Sequence, residues 1–276
     1  MSTIRTYFWH ARVRSRWKFY WNRYLRRRAR TDFLYGNAGD IFARDVLEHF
    51  YPGLTPLNTA EGPRILCIGS IGHRIAAGDL VCGIGCKSYE LPCVEPDTVS
   101  IHALRGPISY DIFKAAGYDV SGVRFLADPG LLIGTMVSDH PPSKGRVVFV
   151  PHYRERDAIR GKVPPGVAVI DIDTPPLRLA RQLQRAECVY ASSLHGIIFA
   201  HALGRPCVFV RPATQEPLLK FEDYFLSVGI TPPKPLESIA DARISAAPVS
   251  PAVLSIDPRK IVFPSVAQLE ARRIIQ

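Results

Sequence analysis

The stretch Cys188-Val189-Tyr190-Ala191-Ser192-Ser193-Leu194-His195-Gly196-Ile197-Ile198-Phe199-Ala200-His201-Ala202-Leu203-Gly204-Arg205-Pro206 carries the most information in the chain. Its first four residues form a short apolar run that reads as a buried strand. Two serines, a histidine and a glycine follow, then a helical pattern to Leu203 that Gly204 caps. Pro206 to Val210 reads as the next strand. A strand that leads through a helix into another strand implies parallel pairing with helices on the faces of the sheet. The turn at Ser192-Ser193-Leu194-His195-Gly196 would present free backbone N–H groups and hydroxyls at a helix N-terminus, which is an anion pocket. His195 within it can protonate or bind a phosphate, or serve only as a capping or core histidine. The residues around Ser193 do not form the Gly-x-Ser-x-Gly turn of a serine nucleophile.

The same alternation extends outward in both directions. Upstream, Val147 to Val150 ends at Pro151-His152-Tyr153, and Val167 to Ile172 precedes a helix over Leu177–Arg185. Downstream, Glu216 to Val228 looks helical. Residues 138–146 are proline-rich and polar, and they read as a linker. Before them a first set repeats the pattern. Gly36-Asn37-Ala38-Gly39-Asp40 opens a helix to Phe50. Strand candidates 65–68, 80–82, 99–103 and 123–126 end at Gly69-Ser70, Gly83-Ile84-Gly85, Arg105-Gly106 and Asp128-Pro129, and Pro107 suits the first turn of a helix. The expected fold is α/β with two Rossmann-like domains, 31–137 and 147–230, followed by a proline-rich tail and terminal helix over 231–276. Ligands of such sheets bind outside the carboxyl ends of the strands, so the strand-end loops hold the candidate site.

The chain has 276 residues, is 47% hydrophobic and 22% charged, and is therefore globular rather than disordered. Its net charge of +10 is local. Residues 1–30 hold ten Arg and Lys and no acid, which leaves 25 bases against 25 acids elsewhere. A basic arm on a neutral body argues against a nucleic-acid binder with a charged face. On a helical wheel Val13, Trp17, Tyr20, Trp21 and Tyr24 share one face, and Arg12, Arg16, Arg23, Arg27 and Arg30 another. All three tryptophans (Trp9, Trp17, Trp21) lie in this arm. Aromatic groups opposite arginines suit a helix lying on an anionic membrane surface, while a helix packed on the body is the plainer alternative. No apolar run of spanning length and no signal-peptide core occurs, so the expected location is the cytoplasm, at the inner face of the plasma membrane. The six cysteines read as free thiols, since Cys82, Cys86 and Cys93 with His73 and His102 lack the usual spacing of a zinc site.

Taken together, these motifs resemble the polysaccharide pyruvyl transferase family over about residues 33–230. The resemblance rests on Gly36-Asn37-Ala38-Gly39-Asp40, Gly69-Ser70-Ile71, Gly83-Ile84-Gly85, Arg105-Gly106-Pro107-Ile108-Ser109, Ala127-Asp128-Pro129-Gly130-Leu131-Leu132, Ser192 to Gly196 with Ala202 to Pro206, and Lys220-Phe221-Glu222-Asp223-Tyr224-Phe225. It implies a GT-B-like two-domain fold. It also implies transfer of a pyruvyl group from phosphoenolpyruvate to a sugar diol of an exopolysaccharide or lipid-linked oligosaccharide, as a ketal with release of phosphate. Many members carry Arg before Leu-His-Gly, where this chain has Ser193. Another cation must then grip the donor, and Arg105, Arg154, Arg211 and Lys220 are candidates.

That chemistry needs cationic and N–H groups for a small, highly charged donor, and an acid and a base for two proton transfers. His195 is the expected phosphate ligand or general acid, and Arg105 the expected carboxylate or phosphate clamp. His152 and Asp128 are further catalytic candidates. Ser192, Ser193, Leu194, Gly196, Asn37, Asp40 and Lys220 are candidates for donor binding. Asp128 can equally be a turn cap before Pro129, and Asp40 a helix N-terminal charge. No step requires a metal or a cofactor beyond the donor. A nucleotide-sugar glycosyltransferase on the same scaffold is the alternative, with Glu216 as its ribose-binding carboxylate, and a catalytically dead scaffold at the membrane is a third reading.

Overall fold

The computed structural model of the protein describes residues 2–10, 15–25, 33–242 and 254–276, with the side chains of Arg23 and Tyr24 left out. In chain order the strands are β1 (Thr3–Thr6), β2 (Thr55–Asn58), β3 (Ile65–Leu66), β4 (Leu80–Cys82), β5 (Ser100–Leu104), β6 (Phe125–Leu126), β7 (Val147–Val150), β8 (Val167–Val169), β9 (Cys188–Ala191) and β10 (Cys207–Phe209). The helices are α1 (Arg16–Tyr20), α2 (Ala38–Phe50), α3 (Pro107–Ala115), α4 (Pro176–Gln184), α5 (Leu194–Ala202), α6 (Leu219–Ser227) and α7 (Val266–Ala271). Two sheets result, in orders β2-β1-β3-β4-β5-β6 and β10-β9-β7-β8. Every strand pair in both is parallel.

Local sequence accounts for most elements. The strands β3, β4, β7 and β10 are short apolar runs buried along their length, as strands covered on both faces must be. Helix α2 is amphipathic and buries Ile41, Phe42, Val46 and Leu47, with Asn37 accepting from the Gly39 N–H as its N-cap. Helix α5 is buried from Leu194 to His201, because it lies between its own sheet and the 3₁₀ turn Pro129–Thr135 that follows β6. One apolar core runs through both halves and includes Phe42, Ile65, Leu131, Val148, Ile197 and Phe221.

The N-terminal arm is corrected in part. Thr3–Thr6 is a strand inside the six-stranded sheet, with Ile4 and Thr6 fully buried and Thr6 Oγ1 donating to the Ile65 carbonyl at 2.8 Å. One edge of β1 pairs with β2. On the other, the Thr3 and Arg5 amides donate to the Gln276 and Ile274 carbonyls at 2.7 and 2.9 Å. The C-terminal segment thus returns to the N-terminal sheet rather than trailing as a tail. Trp9 is half-buried against the core, stacked on Tyr153 at 5.2 Å and edge-on to Phe33. Only from Arg16 does the chain form an exposed helix, which passes into a π-helical turn at Trp21–Leu25 and so leaves the regular wheel. Trp17 and Trp21 stand out at 75% and 42% exposure, beside the exposed Arg16 and Lys18. Arg12, Val13, Arg14, Arg26, Arg27, Arg28 and Arg30 lie outside the described residues. Among the described residues no helix is long and apolar enough to cross a membrane.

Candidate active site

The carboxyl ends of both sheets open onto one cleft of about 450 Å³. The six-stranded sheet contributes Tyr7 and Trp9 after β1, Ser70 and Ile71 after β3, and Lys87 and Ser88 after β4. The four-stranded sheet contributes His152 to Arg154 after β7, Ser193 to His195 after β9, and Gln215 to Pro217 beyond β10. Asn37, Asp40 and Lys220 complete the wall from α2 and α6.

The turn after β9 forms the innermost wall. Ser193 is the N-cap of α5 but makes no side-chain capping bond, which leaves its hydroxyl for the cleft. The first-turn amides of Leu194, His195 and Gly196 point out of the helix end with no acceptor among the described residues. Gly196 is small because α5 crosses the strands here, and a Cβ would sit 3.0 Å from Val150 and 3.1 Å from Ala191. His195 is buried and its Nε2 has no partner. Its ring lies directly against Gly39 at the start of α2, where a Cβ would overlap the imidazole. Burial, reinforced by Arg105 and Lys220, pushes its pKa down to about 3. With these surroundings the imidazole is neutral near pH 7, and the general-acid role expected of His195 does not fit that state. A hydrogen bond to a bound anion does fit, because added negative charge favours the imidazolium.

Asp40 is the group whose titration suits acid–base work. Burial raises its carboxyl to about 7; Lys220 opposes the rise and Asp128 adds to it. Lys220, in turn, is buried and lowered by that burial, and its Nζ donates to Glu216 Oε2 at 2.8 Å. Burial works to raise Glu216, but Lys220, His152 and Arg154 outweigh it and hold the carboxyl below its usual value. Arg154 Nη1 donates to Glu216 Oε1 at 3.0 Å, and His152 Nε2 lies 3.7 Å from the same oxygen. With both oxygens engaged, Glu216 does not present a free carboxylate to a ribose. His152 is lowered to about 3 by burial, with Lys220 and Arg154 adding to it, and its Nδ1 has no partner.

Of the expected site residues, Arg105, Asp128, Ser192 and Gly196 do not line the cleft. Arg105 is fully buried, and each of its nitrogens is used within the protein. Nε donates to Asp223 Oδ2 at 3.0 Å, Nη1 to Ser70 Oγ at 2.6 Å and Nη2 to the Cys86 carbonyl at 2.8 Å. It ties α6 to the first sheet and does not line the cleft, so the clamp role expected of it is not supported. Asp128 caps the 3₁₀ turn through the Gly130 amide at 2.8 Å, the plainer of its two readings. Its other oxygen is buried without a partner, and burial raises the carboxyl to about 6. Ser192 is fully buried, donates to Glu155 and accepts from the His152 amide at 3.0 Å; it fixes the loop after β7 and does not face the cleft. Arg211 is spent on Glu237 at 2.7 Å. Of the four candidate cations, Lys220 and Arg154 reach the cleft.

The sequence reading missed the rim. Tyr7 and Trp9 were hidden by reading 1–30 as an arm, although the alternation Thr3-Ile4-Arg5-Thr6 is a strand pattern whose end they mark. His73, Arg74, Lys87 and Ser88 follow Gly69-Ser70 and Gly83-Ile84-Gly85 too closely to be anything but strand-end loop. Arg74 and Lys87 are exposed at the mouth, and neither side chain has an ion-pair partner among the described residues.

Comparison with known proteins identifies the relatives of the chain. A family model, Polysaccharide pyruvyl transferase, matches residues 97–213. The chain is 30% identical over 211 residues to Uncharacterized protein L143 of Acanthamoeba polyphaga mimivirus, covering 70% of this chain and 71% of that one. It is 27% identical over 231 residues to the Succinoglycan biosynthesis protein ExoV of Rhizobium meliloti (strain 1021), covering 77% and 69%. No solved structure matches. These matches define an enzyme of the transferase class, and the chain belongs to the polysaccharide pyruvyl transferase family.

Proposed function

We propose that the protein moves a pyruvyl group from phosphoenolpyruvate onto two hydroxyls of a saccharide, forming a cyclic ketal and releasing phosphate. The acceptor is a repeat unit of an exopolysaccharide, as the name of the Rhizobium relative suggests, carried on a lipid. The scaffold is of the GT-B kind, with donor and acceptor meeting between the two sheets. One observation carries this reading: the open α5 N-terminus, His195 and Lys220 converge on one polar cleft.

In this reading the donor phosphate sits on the α5 amides and the Ser193 hydroxyl, with the His195 imidazole beside it. Lys220 supplies the cation that Ser193 cannot, and Arg74 and Lys87 at the mouth draw the donor in. Asp40 gives its proton to the methylene carbon as the first sugar hydroxyl bonds to C2, and recovers a proton from that hydroxyl. The C2–O bond to phosphate then breaks, and the second hydroxyl closes the ring, its proton leaving with the phosphate. Trp17, Tyr20, Trp21 and Leu25, exposed beside Arg16 and Lys18, hold the enzyme on an anionic membrane face where a lipid-linked acceptor resides.

The deciding experiment measures phosphate released from phosphoenolpyruvate with and without saccharide acceptors, alongside mass analysis of the acceptor. A gain in acceptor mass matching one pyruvyl ketal, with one phosphate per ketal, is the expected result. Release from a nucleotide sugar instead would overturn the proposal in favour of glycosyl transfer.

A further inference from the structure

The cleft is lined by two unlike sets of residues. One is the polar wall of Ser193, His195 and Lys220; the other is aromatic, where the segment after β1 brings Tyr7 and Trp9 to the rim beside Tyr153. We infer that Trp9, backed by Tyr153 and Phe33, is the platform on which a sugar ring of the acceptor stacks. The inference rests on the saccharide-acceptor reading above and assigns its location.

Three observations support it. First, the Trp9 indole is held rigidly rather than merely exposed. It stacks on Tyr153 with centroids 5.2 Å apart and planes 30° apart, and meets Phe33 edge-on at 5.2 Å and 81°. Phe33 is itself fully buried and lies under the Arg156 guanidinium at 4.8 Å, so the aromatic cluster is anchored from behind. Secondly, Trp9 is half-buried at the edge of a cleft whose other walls are mostly polar and charged. A pyranose matches that mixture: its axial C–H groups present an apolar patch to the electron-rich face of an indole, while its hydroxyls need polar partners at the ring edge. Thirdly, those partners are at hand. The Tyr153 hydroxyl accepts from Arg154 Nε at 2.9 Å and keeps a lone pair and a proton for a ligand, and Ser88 lies across the same rim.

The test compares wild type with Trp9→Leu and Trp9→Phe. For Trp9→Leu the expected result is a rise of roughly tenfold or more in KM for the saccharide, with KM for phosphoenolpyruvate changed less than twofold. Trp9→Phe keeps a ring and restores part of the loss. A second measurement needs no turnover. In a Trp17→Phe/Trp21→Phe background Trp9 is the sole indole, and titration with methyl hexopyranosides should saturably shift its emission. This readout also decides the matter where Trp9→Leu fails to fold. Unchanged acceptor KM in a folded Trp9→Leu, or emission that ignores every saccharide, would overturn the inference. Failure of the wild type to consume phosphoenolpyruvate with any saccharide would sink pyruvyl transfer instead, and the fluorescence titration would still judge the subsite.

Discussion

The loops after β5 and β9 are built alike and put to opposite uses. Each ends a buried strand, passes through two residues and starts a helix whose first amides lack intrahelical acceptors. At α3 the vacancy is filled from within: the Asp223 carboxylate accepts from the Ser109 amide at 2.9 Å and hydroxyl at 2.6 Å, with Arg105 on its flank. At α5 no carboxylate among the described residues takes that place, and Ser193, Leu194 and His195 face the cleft. A helix N-terminus attracts an anion in both places. Where the protein supplies its own carboxylate, the motif is a joint between the two halves. Where it does not, the motif is left open to the cleft and is the proposed donor site.

The sharpest way to break this comparison is to empty the joint. Asp223→Ala leaves Arg105 charged and buried without its partner, and should cost about 3–5 kcal/mol in urea unfolding. That is a large part of a typical domain's stability. A loss under about 1 kcal/mol would mean that Arg105 is free enough to serve the cleft after all. At the open helix, His195→Ala should lower kcat by roughly 10²–10³-fold, the weight of one preorganised hydrogen-bond donor, with the unfolding midpoint nearly unchanged. Lys220→Met should raise KM for phosphoenolpyruvate by roughly 10–100-fold, the weight of one charge-assisted contact. An unaltered KM would move the cation to Arg74 or Lys87.

The pH dependence follows from Asp40. Its protonated form is the proposed acid, so kcat/KM should fall as pH rises through about 7, and Asp40→Asn should remove both the activity and that limb. Stability carries the same sign. The folded state holds this proton where the unfolded chain has released it, so the contribution is complete below the ordinary carboxyl value of 3.8 and is lost as pH rises through about 7. Relative to Asp40→Asn, wild type should therefore weaken between those limits. The smallest effect is at the exposed helix. Arg16→Gln should reduce partition to anionic liposomes by roughly fivefold at low salt, the value of about 1 kcal/mol per charge. Point variants are needed because deleting residues 1–30 would remove β1 from the middle of its sheet.

The legible parts of the sequence were those with a local signature. Apolar runs at 80–82, 147–150 and 188–191 became the strands β4, β7 and β9 almost to the residue, and Pro107 and Gly204 marked helix limits. The turn at Ser193-Leu194-His195 was readable because a strand, small polar residues and a helix lie in succession. The strand at Thr3–Thr6 was not. Its four residues are followed by a dense run of arginines, and the charge pattern dominated a reading in which partners at Thr55–Asn58 and Ile274–Gln276 were invisible.

By itself, then, the sequence determined an α/β chain with parallel strands and placed an anion-seeking turn at 192–196, because periodicity and helix ends are properties of neighbouring residues. It also determined that the excess charge lies before residue 31. Which side chains meet the ligand was decided only in three dimensions. Arg105 looked like a clamp until Asp223, 118 residues away, was found against it. Trp9 looked like part of a membrane helix until Tyr153 was found beneath it. Asp40 became an acid near neutrality only through burial, with Lys220 opposing the rise and Asp128 adding to it, and the fold alone brings these groups near one another. Desolvation and long-range pairing depend on what the folded chain packs around a group, and no local pattern records that.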